Sequence, residues 1–184
     1  PVVPVERTGA LPLSFAQERL WFMAQLQKDS PLFNIATAVR LRGELQLEAL
    51  EQTFSEIIRR HESLRTVFQL VNDAPAQIIL EPQPLAIPVS DVSEHAEVLR
   101  LIKEDTTAPF DLTKSLPLRV SLLRLGDDEH ILILTMHHIV SDAWSIGVMV
   151  REVAELYEAF CAGRPSPLPE LSIQFGDYAS WQRR

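Results

Sequence analysis

The residues best suited to chemistry lie in one stretch, residues 130–145, which reads HILILTMHHIVSDAWS. Its apolar first half is typical of a buried strand, which would carry His137 and His138 to its C-terminal end. Successive side chains of an extended chain point to opposite faces, so one imidazole can face a cleft while the other faces the interior. The alternative interpretation is that both histidines are structural.

Asp142 follows the pair, where the chain turns into a helix. Its carboxylate is suited either to cap that helix or to pair with a buried cation. The helix N-terminus also offers free N–H groups and the positive end of a dipole, which would stabilise a developing oxyanion. A metal site is disfavoured, because it needs a third converging ligand and adjacent residues rarely bind one metal together.

The helices and strands that must position these residues are interleaved along the chain. Apolar spacing predicts helices over 14–27, 47–61, 94–106 and 145–162, and strands over 33–41, 65–70, 77–80, 118–125 and 130–136. Ser14 and Gln17 match a capping box at the first helix start. Strands interleaved with helices predict an α/β fold in which a mixed β-sheet is flanked by helices.

Composition excludes several classes of partner. The 184 residues are 46% hydrophobic and 23% charged, as expected of one globular domain, and no apolar run reaches membrane-spanning length. The net charge of -8 argues against nucleic acid and against an anionic membrane surface. A single cysteine, Cys161, fits a cytoplasmic location. Residues 1–12 are predicted to be a proline-rich linker, and the missing initiator methionine suggests a piece of a longer protein.

Four stretches together resemble a known family. Residues 137–142, HHIVSD, are similar to the HHxxxDG signature of nonribosomal peptide synthetase condensation domains and of the chloramphenicol acetyltransferase-like superfamily. The other stretches resemble the first, second and fourth condensation-domain motifs in the expected order: LSFAQERLWF at 13–22, RHESLRTVF at 60–68 and DYASWQ at 177–182. The resemblance extends over residues 11–184.

This resemblance implies an architecture and an activity. Residues 13–184 would form the N-terminal lobe of a chloramphenicol acetyltransferase-like fold, with the C-terminal lobe absent and the isolated lobe inactive. A condensation domain joins a donor aminoacyl or peptidyl thioester to the α-amine of an acceptor aminoacyl thioester. Both substrates ride on the phosphopantetheine arms of carrier proteins, so the lobe itself would bind no cofactor. Implied partners are donor and acceptor peptidyl carrier proteins, the C-terminal lobe and neighbouring synthetase domains.

The resemblance also assigns roles to the central residues. It makes His138 the central residue of the site. Our hypothesis is that His138 orients the acceptor amine and then takes its proton, while His137 packs behind it. A model α-amine has a pKa of about 7.7–8, so roughly a tenth is already neutral near pH 7 and a strong base is not obligatory. His138 is therefore either a base or a positioning group. The family pattern pairs Asp142 with Arg65 as a structural anchor of the site, so Asp142→Ala should harm folding as much as catalysis.

The signature has glycine after the aspartate, where this chain has Ala143. At a positive φ the extra methyl group would cost roughly 1 kcal/mol or more, and it could also crowd the channel that admits the acceptor. Ala143, Trp144 and Ser145 are candidate oxyanion or acceptor-channel residues. Arg19 either lines the site or forms a structural pair.

Two other classes of function remain open at this point. The lobe could be a non-catalytic module that binds carrier proteins or a neighbouring domain. It could also belong to a related epimerisation domain or a coenzyme A-dependent acyltransferase, both of which share HHxxxDG. The wording of the motifs favours condensation of an L-configured donor with an L-configured acceptor.

Overall fold

The computed structural model describes residues 1–27 and 30–184. Within them the chain forms seven strands, five α-helices and a 3-10 turn over Glu62–Arg65. In chain order the elements are β1 (Leu11–Pro12), α1 (Phe15–Leu26), β2 (Asn34–Arg42), α2 (Leu47–Arg60), β3 (Thr66–Val71), β4 (Ala74–Ile79), β5 (Val89–Asp91), α3 (His95–Thr107), β6 (Leu118–Gly126), β7 (Glu129–His137), α4 (Ala143–Cys161) and α5 (Phe175–Gln182). The four predicted helices and five predicted strands are confirmed, with shifted ends.

The larger sheet has the strand order β2-β7-β6-β5. Its β2–β7 and β7–β6 pairs are antiparallel, while β5 runs parallel to β6, so the predicted mixed sheet is confirmed. The short strand β5 was not predicted, because three residues are too few for a periodic signal. A smaller antiparallel sheet has the order β1-β4-β3.

The β3–β4 hairpin is tighter than predicted, because β4 begins at Ala74 rather than at Gln77. Asn72 and Asp73 have φ of 52° and 63°, which is the backbone of a two-residue hairpin turn. Asparagine and aspartate tolerate this left-handed region better than other non-glycine residues. The turn therefore closes directly from Val71 to Ala74.

The predicted linker over residues 1–12 contacts the rest of the lobe. Leu11 and Pro12 form β1, and the Leu11 side chain is buried. Upstream, the Val5 N–H donates to Asp177 Oδ1 at 2.8 Å and Arg7 pairs with the same oxygen at 2.7 Å. Proline content therefore did not predict how closely this segment is held, and the division into linker and lobe stays a prediction.

Helices cover both faces of the larger sheet, which makes β7 a central, buried strand. The main core joins α2 and α4 to one face, with side chains that include Phe54, Ile57, Leu122, Met136 and Leu156. On the other face α3 supplies Val98 against Leu123, Ile131 and Ile133. Burial on both faces explains why the middle of β7 is continuously apolar, and its C-terminal end is fixed at the rim of this core.

Candidate active site

The end of β7 turns sharply before α4. The His137 carbonyl accepts hydrogen bonds from the Val140 N–H and the Ser141 hydroxyl, each at 3.1 Å. The His138 N–H donates to the Phe33 carbonyl at 2.8 Å, which continues the pairing with β2 by one residue. Residues 138–141 therefore form a hydrogen-bonded turn that fixes the backbone on both sides of the histidine pair.

His138 points outward into a cleft of about 370 Å³. Its Nδ1 lies 2.6 Å from the Ser141 carbonyl oxygen. A carbonyl oxygen can only accept a hydrogen bond, so Nδ1 must carry the proton. When the ring is neutral, Nε2 therefore keeps a free lone pair. The cleft is also lined by Ala16, Gln17, Leu20, Ile139, Val140, Ser141, Asp142, Ser145 and Phe175.

His137 points inward and is only 5% exposed. Its ring packs against Phe33 and Phe110, at centroid distances of 5.9 Å and 6.1 Å. Its Nδ1 accepts a hydrogen bond from the Ile139 N–H at 3.1 Å, so the ring is held neutral. Burial, with a smaller contribution from the charge on His138, lowers the pKa of His137 to about 4. The two imidazoles thus diverge as an extended backbone requires.

We expect His137 to remain neutral at pH 5, well below the usual titration range of an imidazole, because its folded-state pKa is depressed. The buried ring takes up a second proton less readily than the same ring does in the unfolded chain. Acid should therefore lower the free energy of unfolding through this group. Imidazole ¹⁵N shifts followed from pH 7.5 to 4.5 check this. A His137 ring that is already protonated at pH 5 would contradict it.

Asp142 caps α4 rather than pairing with Arg65. Its Oδ1 accepts from the Ser145 N–H at 2.8 Å, and the Asp142 N–H donates to Ser145 Oγ at 2.7 Å. Hydrogen bonds to the carboxylate, first from the Ser145 backbone and then from the Ser145 side chain, lower the pKa of Asp142. Arg65 instead donates to the Leu80 carbonyl, and its nearest carboxylate oxygen is Glu62 Oε1 at 3.8 Å.

The predicted Asp142–Arg65 anchor is therefore wrong for the part of the chain that the structure describes. A helix N-terminus provides unpaired N–H donors next to Asp142, and this local partner needs no long-range closure. Asp142 is also exposed, so its loss leaves no unpaired buried charge. Its place in the site is to set where α4 begins.

We expect Asp142→Ala to lower the free energy of unfolding by about 1 kcal/mol, the usual contribution of an N-cap, rather than to prevent folding. Asp142→Asn keeps a capping oxygen and is the matched control. Because the pKa of Asp142 is depressed, the difference between Asp142 and Ala should be present at neutral pH and shrink as acid protonates the carboxylate. Urea unfolding at pH 7 and pH 3 measures both effects, and a loss above about 3 kcal/mol would restore the anchor interpretation.

The candidate oxyanion residues form the first turn of α4. Ala143 is not among the positive-φ residues, so alanine in place of glycine causes no backbone strain. The Ser145 N–H is bonded to Asp142, and a backbone hydrogen bond from Trp144 also lowers the pKa of Asp142. The Ala143 N–H is thus the remaining candidate donor. The Trp144 side chain is 81% exposed and lies outside the His138 cleft.

The structure does not bring Arg19 into the site. Arg19 is exposed, does not line the cleft, and forms no hydrogen bond or ion pair with any residue of 1–27 or 30–184. Its helix contributes Ala16, Gln17 and Leu20 instead. Phe175, the first residue of α5, also lines the cleft and was missed by the sequence analysis. A signal for it was the run of aromatic residues at 175–181, which holds Phe175, Tyr178 and Trp181.

Within the described residues, no group of three histidine, cysteine, aspartate or glutamate side chains could hold a metal ion. No helix in the same residues is long and apolar enough to cross a bilayer.

Comparison with known proteins connects this geometry to a family. A family model described as "Condensation domain" matches residues 7–184. The chain is 46% identical to malpinin synthetase of Mortierella alpina and 42% identical to isonitrile lipopeptide synthase of Mycobacterium tuberculosis. These matches cover the whole chain but only 2% and 7% of the two synthetases.

Solved structures share the fold. The X-domain, in a complex with OxyB from teicoplanin biosynthesis, matches with a TM-score of 0.92 and 32% identity, over all of this chain and 40% of that one. The starter condensation domain of rhizomide synthetase RzmA matches with a TM-score of 0.85 over 96% of this chain and 43% of that one, and at 23% identity it supports the fold alone. The chain, with its chloramphenicol acetyltransferase-like mixed sheet and helices, belongs to the condensation-domain family.

Proposed function

We propose that this chain is the N-terminal lobe of a peptide-synthesising condensation domain and that His138 is its catalytic residue. The observation that carries the proposal is the orientation of His138: Nδ1 is engaged by the Ser141 carbonyl, and the ring lines the cleft. Nε2 is thereby the available proton acceptor. The family match over residues 7–184 supports the reaction class.

In the proposed reaction, the acceptor α-amine attacks the carbonyl carbon of the donor thioester. A C–N bond forms, and the C–S bond breaks as the tetrahedral intermediate collapses. His138 Nε2 accepts the proton that the amine loses and passes it to the departing thiolate, so charge and atoms balance. The Ser141 carbonyl stabilises the imidazolium through Nδ1–H, and the Ala143 N–H at the start of α4 is the candidate oxyanion donor.

The partners follow from the same reaction. We place both substrates on the phosphopantetheine arms of donor and acceptor carrier proteins, with no cofactor held by the lobe itself, and we place the synthesis in the cytoplasm. The matched X-domain chain is longer, since this chain covers 40% of it. Aromatic side chains are exposed on α5 beside the cleft, at Phe175, Tyr178 and Trp181. We propose that the C-terminal lobe packs near them and that residues 13–184 are inactive without it.

The test uses the lobe within its complete two-lobed domain. Donor- and acceptor-loaded carriers with L-configured residues are mixed, and the mass of the acceptor carrier is followed. A gain equal to the donor acyl group supports condensation. An unchanged mass with inverted configuration would identify an epimerisation domain, and acylation of a free acceptor from acyl-coenzyme A would identify an acyltransferase.

A docking module is the second candidate function, favoured by the 32% identical X-domain that was solved in a complex with OxyB. In the same experiment a docking module would bind loaded carrier or a neighbouring domain without forming any product. His138→Ala would then leave binding and pathway output unchanged.

A further inference from the structure

We propose that Arg119 is a positioning residue for His138, acting through Phe110 and His137 from the far side of the sheet. This inference rests on the proposed function, because it concerns the same catalytic imidazole. Arg119 lies on β6 and does not line the His138 cleft. Its effect reaches His138 through residues 108–110, the segment that follows α3.

The Arg119 guanidinium holds the C-terminal end of α3 by its carbonyl oxygens. Nη2 donates to the carbonyls of Asp105 at 2.9 Å and Ala108 at 2.6 Å, and Nη1 donates to that of Pro109 at 3.2 Å. A cation at a helix C-terminus is favourable because the last carbonyls are unpaired and carry the negative end of the dipole. The guanidinium reaches these three acceptors with two separate nitrogens held in a rigid plane, a geometry that the compact ammonium of lysine does not reproduce.

Asn34, the first residue of β2, also binds the C-terminal end of α3. Its Nδ2 donates to the carbonyls of Thr106 and Ala108, each at 2.9 Å. Asn34 stands opposite His137 in the β2–β7 pairing. The end of α3 is therefore tied to two strands of the larger sheet, one of them directly beside the histidine pair.

These hydrogen bonds fix the position of Phe110, which lies just after the end of α3. The Arg119 guanidinium carbon lies 4.0 Å from the centroid of the Phe110 ring, and that ring meets His137 edge-on at 6.1 Å with an interplanar angle of 89°. Phe33 closes the other side of His137 at 5.9 Å. The His137 ring is thus held between two aromatic rings, one of which depends on Arg119.

His137 in turn shapes the turn that orients His138. The Ile139 N–H bonds to His137 Nδ1, and the Val140 N–H and the Ser141 hydroxyl both bond to the His137 carbonyl. The Ser141 carbonyl then receives the Nδ1–H of His138. A displacement of His137 would therefore move the one acceptor that fixes the His138 tautomer.

The Arg119 guanidinium is bonded to carbonyl oxygens rather than to a carboxylate. Among the described residues it forms no ion pair, and its Nε is buried without an acceptor, as are the Nε atoms of Arg60 and Arg65. The nearby Asp105 carboxylate is bonded instead to the hydroxyls of Ser121 at 2.7 Å and Thr135 at 2.9 Å. Burying a guanidinium against carbonyls and one ring has a desolvation cost, which a positioning role would account for.

The experiment compares Arg119→Met and Arg119→Lys with a matched control, Arg124→Met. Arg124 lies on the same strand but forms an exposed pair with Asp91. We expect Arg119→Met to lower kcat for amide formation in the complete domain by about 10- to 100-fold, with KM for the acceptor carrier changed by less than about twofold. Arg119→Lys should recover only part of kcat, and Arg124→Met should match the unaltered domain.

Imidazole ¹⁵N spectra of this chain give a second readout that needs no activity. Both Arg119 variants should mix the two His138 tautomers, whereas Arg124→Met should not. Should Arg119→Met not fold, Arg119→Lys and Phe110→Leu carry the same comparison. Folded Arg119 variants with the control's His138 spectrum would overturn the inference. Absence of amide product from the unaltered domain would overturn the proposed function instead, and the spectra would still decide this inference.

Discussion

His138→Ala in the complete two-lobed domain is expected to lower the rate of amide formation by about 10²- to 10⁴-fold while leaving the fold intact. The magnitude is that of removing a positioned general base. Folding should be unaffected because His138 is exposed and its side chain makes a single hydrogen bond within the described chain, to the Ser141 carbonyl. The rate is measured in single turnover with preloaded carriers, which separates the chemical step from carrier exchange.

The matched control is His95→Ala, which removes an exposed histidine at the start of α3. It should alter neither the rate nor the thermal midpoint. Equal rates for His138→Ala and the unaltered domain would remove His138 from the chemistry. Activity lost together with the native fold would show that the residue is structural.

Glu152→Ala is expected to produce the largest loss of stability among charge removals on α4, about 3 kcal/mol. Its carboxylate lies between two basic side chains from the end of α2: Oε1 is 3.5 Å from Arg60 Nη2, and Oε2 is 2.6 Å from His61 Nε2. The Arg60 side chain is only 2% exposed. Removing Glu152 would leave that guanidinium buried with carbonyl acceptors alone.

Glu155→Ala is the control for this change, because Glu155 is exposed on the same helix. It should change the free energy of unfolding by no more than about 0.5 kcal/mol. Urea unfolding of both variants at pH 7 makes the comparison. Equal losses of unfolding free energy in the two variants would mean that the contacts of Glu152 with Arg60 and His61 add no stability beyond helix propensity.

Local patterns predicted the elements that carry the site. A continuous apolar run located β7, which is buried on both faces, and helical spacing located α4. The divergence of His137 and His138 also followed from the sequence, since it depends only on the geometry of an extended backbone. Ser14 and Gln17 form the predicted capping box.

Long-range polar partners could not be predicted in the same way. The residues alone left a helix cap and a buried cation open as partners of Asp142, and the family resemblance favoured Arg65. The structure shows the cap at Ser145, while Arg65 turns to the Leu80 carbonyl. Phe175 was missed because only the packing of α5 brings it to the cleft. Periodicity reports which face of an element is buried, whereas the partner of a polar side chain depends on the path of the whole chain.

The most direct test of this account is the tautomer of neutral His138, read from its imidazole ¹⁵N shifts in this chain. The geometry predicts that the proton resides on Nδ1, bound to the Ser141 carbonyl, and that Nε2 has the shift of an unprotonated nitrogen. Such a ring is ready to accept the proton of the attacking amine. A neutral ring protonated at Nε2 would contradict the account, because no proton acceptor would then face the cleft.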